Sequence, residues 1–201
     1  MKEERFYLES PSLERKEDAV GYINEFIDCG SSINGVGGLD KYVLDDDKTY
    51  EEWLVKLDKD MLSESQKDIV PAKTFFLVRE NDKKIVGMIN IRYALNGFLR
   101  DSGAGHIGYS IRPTERRKGY NKVNLYLGLL ELQSAGVKEA MLGCLKENLG
   151  SSRTMKALGA KIFREGDWKG KPKEVYLIDV DNSIETYKDE YSSRIGKVVM
   201  K

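Results

Sequence analysis

The stretch 105–145 most restricts the fold of this chain, because β-rich and helical patterns alternate along it. Residues 105–112 (GHIGYSIR) are β-rich, and a polar, basic loop follows at 114–119. Apolar residues then recur at helical spacing over 121–134, and a second β-rich segment covers 137–145. A strand, a helix and a further strand in this order predict a mixed α/β fold with a right-handed crossover.

The flanking segments supply the other elements of one domain. We predict a first helix that opens at Ser10-Pro11, and a second that begins with a capping box of Thr49 and Glu52. The remaining predicted elements are strands at 75–79 and 85–93, a short helix at 148–158, and closing strands at 160–164 and 174–180. No linker separates the halves. The prediction is therefore a single domain over 1–181, followed by a charged tail over 182–201 that can form a surface helix.

Composition excludes several classes of protein. The 201 residues include 33 Lys plus Arg and 33 Asp plus Glu, and this neutral balance offers no general attraction for a nucleic-acid backbone. The two cysteines, Cys29 and Cys144, lack metal-site spacing, and we predict no metal. No apolar run approaches the ~18 residues of a membrane span. We therefore predict a cytoplasmic protein without nucleic-acid or membrane partners.

The segment Arg116–Asn121 (RRKGYN), between the predicted strand and the long helix, has the chemistry of an anion site. The first N–H groups of a helix have no partner within it, and the helix dipole adds partial positive charge there. Gly119 lets a ligand approach the backbone closely. Arg116, Arg117 and Lys118 add attraction for phosphate. A pyrophosphate or phosphorylated nucleotide fits these features; the alternative is a basic surface loop that only caps the helix.

The stretch 106–160 resembles the acyl-CoA-binding half of the GNAT superfamily of N-acyltransferases. The phosphate loop of that family reads Q/R-x-x-G-x-G/A, and residues 116–121 match its first two anchors. The string GYSIRP at 108–113 resembles the fourth strand of the family. Asn148, followed by Gly159, resembles its Asn…Gly signature. The flanking helices and strands also occur in the order of that fold.

This resemblance implies a single domain with a mixed central sheet flanked by helices, in which splayed strands form an acyl-CoA cleft. It implies an acetyltransferase that moves an acetyl group from acetyl-CoA to an amine by direct attack in a ternary complex. The acceptor is then a small molecule or a peptide, and the protein a monomer or homodimer. The cofactor-binding residues that it implies are Ile111, Arg116, Arg117, Lys118, Gly119, Tyr120, Asn121, Asn148 and Ser151.

Three positions depart from the family pattern. Asn121 replaces the usual Gly or Ala, and because Asn tolerates unusual backbone geometry we expect an adapted loop. Met155 replaces the Tyr that protonates the leaving thiolate, and His106 replaces the Glu that acts as general base. A histidine has a reference pKa of about 6.5, so we predict that His106 is a general base or water relay, with a structural histidine as the alternative. Tyr109 is a weaker candidate for the acid.

The acceptor side is less defined by the sequence. Four glycines within 30–38 predict a mobile loop beside the substrate. Acidic residues at 45–47, 51 and 52 indicate an acidic wall that favours a cationic amine, and the alternative is that these side chains face solvent.

Two other functions remain as alternatives. A non-catalytic acyl-CoA-binding or sensor module is favoured by the missing acid and base. An RNA-binding protein could use the Arg-rich loop, but the neutral charge and the lack of an aromatic and basic RNA signature argue against it.

Overall fold

The computed structural model describes residues 4–62 and 69–196 and arranges them as two antiparallel sheets flanked by helices. The first sheet, in the order β1-β2-β3-β4, consists of β1 (Phe6–Glu9), β2 (Ala72–Arg79), β3 (Ile85–Arg92) and β4 (Ile107–Ile111). The second sheet, in the order β5-β7-β6, consists of β5 (Glu139–Leu145), β6 (Lys161–Trp168) and β7 (Lys171–Asp179). The predicted α/β class is confirmed.

Seven α-helices connect these strands within the described ranges. They are α1 (Lys16–Asp28), α2 (Leu39–Val43), α3 (Tyr50–Met61), α4 (Gly97–Asp101), α5 (Tyr120–Ser134), α6 (Leu149–Lys156) and α7 (Val180–Tyr191). None of these helices has the length and apolar character needed to cross a bilayer. The capping box predicted for α3 is present, because the Thr49 and Glu52 side chains each accept the other residue's backbone N–H.

The start of the chain differs from the predicted helix at Ser10-Pro11. Residues 6–9 form β1 and pair with β2, and a 3-10 turn at 13–15 precedes α1. Phe6 and Tyr7 are buried against neighbouring elements. Burial of these two rings decides the structure of the segment, which the local capping pattern does not reveal.

Helix α5 lies at the centre of the packing and contacts β3, β4 and α7. Nine of its 15 residues are buried, including Leu125 and Leu129. Helices α1 and α3 cover the opposite face of the first sheet, where Trp53 stacks on Phe76 of β2. Both faces of this sheet are therefore apolar, which explains the almost continuous burial of β2 and β3.

The predicted charged tail contains most of α7, and one face of this helix is buried. Tyr191 packs on Tyr126 of α5, with ring centroids 5.1 Å apart. The Ser183 hydroxyl donates a hydrogen bond to the Leu158 carbonyl. The described part of the tail thus packs on the same core as the preceding chain. The division of the chain at residue 181 stays a prediction.

Strands β4 and β5 meet near their first residues and separate towards their last. At the closed end, the His106 N–H donates to the Met141 carbonyl, and the Met141 N–H donates to Nδ1 of His106. Within the described chain, no ladder continues between the two strands. Gly105 permits the close approach, because it has a φ of +65° and a Cβ there would lie 2.1 Å from the Met141 oxygen.

The first testable prediction concerns His106 and stability. Burial, with the nearby charges of Arg100 and Arg92, lowers the pKa of His106 from 6.5 to about 4. The folded state therefore favours the neutral ring, and this contribution to stability is present above pH 6.5 and is lost as the pH falls through about 4. We expect His106→Asn, which keeps an acceptor for Met141, to reduce the loss of unfolding free energy on acidification.

The variant His106→Ala distinguishes the effect of the Met141–His106 hydrogen bond on stability from the effect of protonating the His106 ring. It leaves the buried Met141 N–H without its acceptor, which costs about 1–3 kcal/mol even at neutral pH. Urea unfolding of the wild type and both variants over this pH range measures the two effects. If the unfolding free energy depends on pH in the same way in all three proteins, the lowered pKa of His106 does not contribute to stability, which would contradict the prediction.

Candidate functional site

A cavity of about 760 Å³, here the first cavity, opens between the separated ends of β4 and β5. Its walls come from the loop between β4 and α5, the start of α6 and the segment after α1. The lining residues include Ser31, Ser32, Asn34, Tyr109, Ile111, Arg116, Arg117, Gly119, Tyr120, Asn121, Lys122, Leu145, Glu147, Asn148, Ser151, Arg153 and Thr154. The structure therefore brings together all the predicted cofactor-binding residues except Lys118, which does not line this cavity.

The backbone at the start of α5 forms one wall of the first cavity. Gly119 precedes the first turn with a φ of +78°, and no side chain caps the helix. The N–H groups of Tyr120 and Asn121 consequently have no partner within the helix. The unusual geometry expected at Asn121 lies at Arg117 instead, with a φ of +63°, because Asn121 already belongs to the regular helix. This wall favours an anion.

The predicted cations of the loop differ in their availability to a ligand. The Arg116 guanidinium donates to the Ile111 carbonyl (3.2 Å) and to Ser31 Oγ (3.1 Å). Arg116 therefore connects the loop to the segment after α1. Lys118 forms an ion pair with Glu115, at 2.8 Å. Both side chains stabilise the loop from within.

Three further cations line the first cavity and form no ion pair with a carboxylate of residues 4–62 or 69–196: Arg117, Lys122 and Arg153. Sequence reasoning missed Lys122 and Arg153. Helical spacing could have indicated them. Lys122 lies three residues after Gly119, and Arg153 lies three residues after Gly150, so each cation is on the same side of its helix as a glycine that lines the cavity.

Glu115 lies beneath the loop with only 4% of its surface exposed. Its carboxylate accepts hydrogen bonds from Arg79 (3.0 Å), Lys84 (2.7 Å) and Lys118 (2.8 Å). Burial acts to raise the pKa of Glu115, but these three donors outweigh it and lower the pKa to about 2. Arg79 also donates to the Tyr120 hydroxyl. Because the Tyr120 hydroxyl belongs to this network, the backbone N–H of Tyr120 is the polar group of this residue that remains available at the helix start.

Hydrogen bonds connect Tyr109, Asn148 and Ser151 across the gap between the sheets. Asn148 Oδ1 accepts the Ser151 N–H (3.0 Å) and so caps α6. The Tyr109 hydroxyl lies 2.8 Å from Ser151 Oγ. Burial raises the pKa of Tyr109, with the hydrogen bond to Ser151 opposing it, so the phenol is protonated at neutral pH. The hydroxyl therefore carries a proton beside the gap, but its raised pKa makes it a weaker acid than an ordinary tyrosine.

A second cavity of about 460 Å³ shares six lining residues with the first: Ser32, Asn34, Tyr109, Leu145, Asn148 and Ser151. Its other walls include Ile33, Gly35, Arg92, Phe98, Ser102, Gly143, Cys144, Met155, Trp168 and Lys173. The shared residues show that the two cavities are adjacent, and Tyr109 lines both of them.

The position of His106 does not favour the predicted role as a general base. Its Nδ1 already accepts the Met141 N–H, and its ring lines neither cavity. The lowered pKa of His106 also makes it a weak base near neutral pH. The structural alternative accounts for these contacts, and participation of His106 in proton transfer stays a prediction.

Two sulfur-containing side chains line the second cavity. Met155 is buried and cannot donate a proton. Cys144 is also buried, and burial raises the pKa of its thiol, which makes it a poor nucleophile. In the part of the chain that the structure describes, no three His, Cys, Asp or Glu side chains are grouped as metal ligands.

The loop 30–38 and the predicted acidic wall have different positions. Residues of the loop line both cavities, which agrees with a location beside the substrate. Asp45 and Glu51 instead form surface ion pairs with lysines, and Glu52 caps α3. None of the acids at 45–47, 51 and 52 lines either cavity. The preference for a cationic acceptor therefore loses its structural basis.

A family model described as the acetyltransferase (GNAT) family matches residues 40–160, more than half of the chain. A search of curated proteins gives no significant match to the sequence.

Several solved structures share this fold. A spermidine/spermine N-acetyltransferase of Vibrio cholerae is 11% identical, with a TM-score of 0.61 over 90% of this chain and 98% of that chain. A ribosomal L7/L12 α-N-protein acetyltransferase in complex with coenzyme A is 14% identical, with a TM-score of 0.61 over 88% and 96%. A microcin C7 self-immunity acetyltransferase in complex with acetyl-CoA and AMP is 17% identical, with a TM-score of 0.60 over 86% and 91%. At these identities the likeness shows the fold alone.

The second testable prediction concerns the buried carboxylate beneath the loop. We expect Glu115→Gln to destabilise the protein by roughly 3 kcal/mol at neutral pH, because it removes the anion from a group of cations. Glu139→Gln, at the exposed start of β5, is the matched control and should change the stability little. The folded-state pKa of Glu115 is about 2, so its contribution is present above pH 4.5 and is lost as the pH falls towards 2. Chemical unfolding of both variants at two pH values measures this; equal stabilities at neutral pH would refute it.

Proposed function

The chain belongs to the acetyltransferase (GNAT) family, and we propose that it transfers the acetyl group of acetyl-CoA to a primary amine by direct attack in a ternary complex. The observation that carries this proposal is the pair of adjacent cavities that share Tyr109, one of which is lined by the start of α5 at Gly119. A coenzyme A release assay across amines tests it. Turnover with any amine supports the enzyme, whereas acetyl-CoA binding without turnover supports the sensor alternative.

We assign the pyrophosphate of the donor to the backbone N–H groups of residues 117–121. The neighbouring cations Arg117, Lys122 and Arg153 supply the countercharge. The buried Asn121 Oδ1, which has no hydrogen-bond partner among the described residues, supports the fit because a ligand group can satisfy it. Two proteins of the same fold have been solved with acetyl-CoA or coenzyme A bound, which is consistent with this donor.

The remaining predicted residues divide into two groups. Ile111, Asn148 and Ser151 line the gap and are assigned to the pantetheine arm. Because the Ile111 carbonyl already accepts a bond from Arg116, we assign Ile111 a van der Waals contact. The side chains of Lys118, Tyr120 and Arg116 keep the loop in shape and act on the donor indirectly.

In the chemical step, the amine nitrogen attacks the thioester carbon, a C–N bond forms, and the C–S bond breaks. Tyr109 donates its phenolic proton to the leaving sulfur, and the nitrogen loses one proton to water as the amide forms. Ser151 Oγ, 2.8 Å from the Tyr109 hydroxyl, provides a route by which a proton from water returns to the phenolate. Of the described residues that line the second cavity, none is Asp, Glu or His. We therefore propose that the amine reacts after it has lost its proton to water. The compartment and the oligomeric state stay predictions.

The third testable prediction concerns Gly119. A β-branched side chain at a φ of +78° strains the backbone and disturbs the amides that face the ligand. We expect Gly119→Val to weaken acetyl-CoA binding at least tenfold in calorimetry, which corresponds to about 1.4 kcal/mol. Gly136→Val is the matched control, since Gly136 follows the other end of α5 with the same φ of +78° and lines neither cavity. Equal affinities of the two variants would remove the phosphate-loop assignment.

The fourth testable prediction concerns Tyr109. If its hydroxyl protonates the thiolate, Tyr109→Phe should lower kcat by about 10²-fold while the affinity for acetyl-CoA is kept. Tyr126→Phe is the control, because it removes one buried hydroxyl that donates to the Ile184 carbonyl away from both cavities. Steady-state kinetics and calorimetry distinguish the effects. A kcat for Tyr109→Phe equal to that of the control would assign the proton to another group.

A further inference from the structure

The second cavity contains two cations that lack an anionic partner. Arg92 ends β3 and Lys173 lies in β7, and both line this cavity. Nη1 of Arg92 donates to the Gly105 carbonyl (2.9 Å), and Nζ of Lys173 donates to the Ser102 carbonyl (2.7 Å). Neither forms an ion pair with a carboxylate of residues 4–62 or 69–196, whereas Lys171, two residues before Lys173, pairs with Glu147.

Both cations are partly removed from water. Burial lowers the pKa of Arg92, and burial together with the nearby Arg164 lowers the pKa of Lys173. A cation in such surroundings costs free energy unless an anion compensates it. No Asp or Glu of the described residues lines the second cavity, so the chain itself offers no such anion there. The two main-chain carbonyls that accept their hydrogen bonds belong to Ser102 and Gly105, so both side chains contact the same short segment.

From these contacts we infer that the second cavity binds an acceptor that carries a carboxylate in addition to its reactive amine, with Arg92 and Lys173 as the anion-binding residues. The inference rests on the proposed function and narrows its acceptor class. Free amino acids and peptides with an acidic group near the amino terminus share this chemistry. A polyamine does not, because both cations repel it.

The aromatic wall and the electrostatics of the cavity agree with such an acceptor. Trp168 and Phe98 are 37% and 65% exposed, with ring centroids 6.4 Å apart, and can cover an apolar part of the acceptor. Nζ of Lys173 lies 5.4 Å from the centroid of the Trp168 ring. Fixed cations near a bound ammonium also lower its pKa, which favours the neutral amine that attacks the thioester.

The experiment compares matched acceptors at saturating acetyl-CoA. Each of three free amino acids, glycine, glutamate and phenylalanine, is paired with its own α-carboxamide. The peptide Asp-Gly is paired with Asn-Gly, and spermidine is tested as a cationic amine without a carboxylate. We expect the carboxylate member of at least one pair to have a kcat/KM about tenfold or more above its amide. A preference within the amino acid pairs indicates a free amino acid as the acceptor, and a preference for Asp-Gly over Asn-Gly indicates a peptide with an acidic group near its amino terminus. Equal values within every pair, or a preference for spermidine, would overturn the inference.

Variants assign the effect to the two cations. Arg92→Gln and Lys173→Met should each lower kcat/KM about tenfold for the preferred carboxylate acceptor and leave its amide unchanged, and Arg92→Lys should restore part of the loss. Lys171→Met, on the same strand with its partner Glu147 outside the second cavity, is the control. The affinity for acetyl-CoA should be unchanged in all of them. A loss of that affinity would assign Arg92 and Lys173 to the donor and contradict the inference.

A binding measurement keeps this inference distinct from the proposed function. Calorimetry with N-acetylphenylalanine and its amide needs no turnover. Stronger binding of the acid than of the amide, together with loss of this difference in Lys173→Met and Arg92→Gln, supports the anion site. If the acid binds more strongly but no amine is acetylated, only the proposed function fails. Equal binding of acid and amide overturns the anion site, whatever the activity. Thermal unfolding verifies that each variant is folded.

Discussion

The separation of β4 from β5 is the constraint on which both cavities depend. The strands belong to different sheets, since β4 pairs with β3 and β5 pairs with β7. They are joined at one end by the two hydrogen bonds between His106 and Met141, and Gly105 allows the backbones to approach. Beyond this point, their facing backbone groups are left for a ligand rather than for each other. A continuous ladder would satisfy those groups and remove the gap into which the first cavity opens.

Charge is distributed unevenly in this neutral chain. Surface carboxylates such as Asp45 and Glu51 pair with lysines, and the buried Glu115 binds three cations beneath the loop 116–119. Among the described cations that form no ion pair, Arg117, Lys122 and Arg153 line the first cavity, and Arg92 and Lys173 line the second. Total charge therefore says little about ligands here, because the second cavity has cations and no carboxylate among its described lining residues in a chain that is neutral as a whole.

The proposed proton donor lies on a different element from the position at which the family resemblance places this role. Met155 of α6 lines the cavity but has no acidic hydrogen, while Tyr109 of β4 lines both cavities and contacts Ser151 of α6. The phenol therefore reaches the residues shared by the two cavities from the strand side. His106, which chemistry alone favours as a base, instead stabilises the joined end of the strands, and its burial reduces its basicity.

The sequence by itself determined the alternation of strand, loop and helix over 105–145, the capping box of α3 and the basic, glycine-containing loop that precedes α5. Each depends on residues close together in the chain, so local spacing and backbone chemistry suffice to predict it. The tertiary structure alone decided three other features: the formation of strand β1, the burial of His106, and the presence of Arg92 and Lys173 in one cavity. These features arise from contacts between segments distant in sequence, where burial and desolvation, rather than local pattern, set the conformation and the charge state.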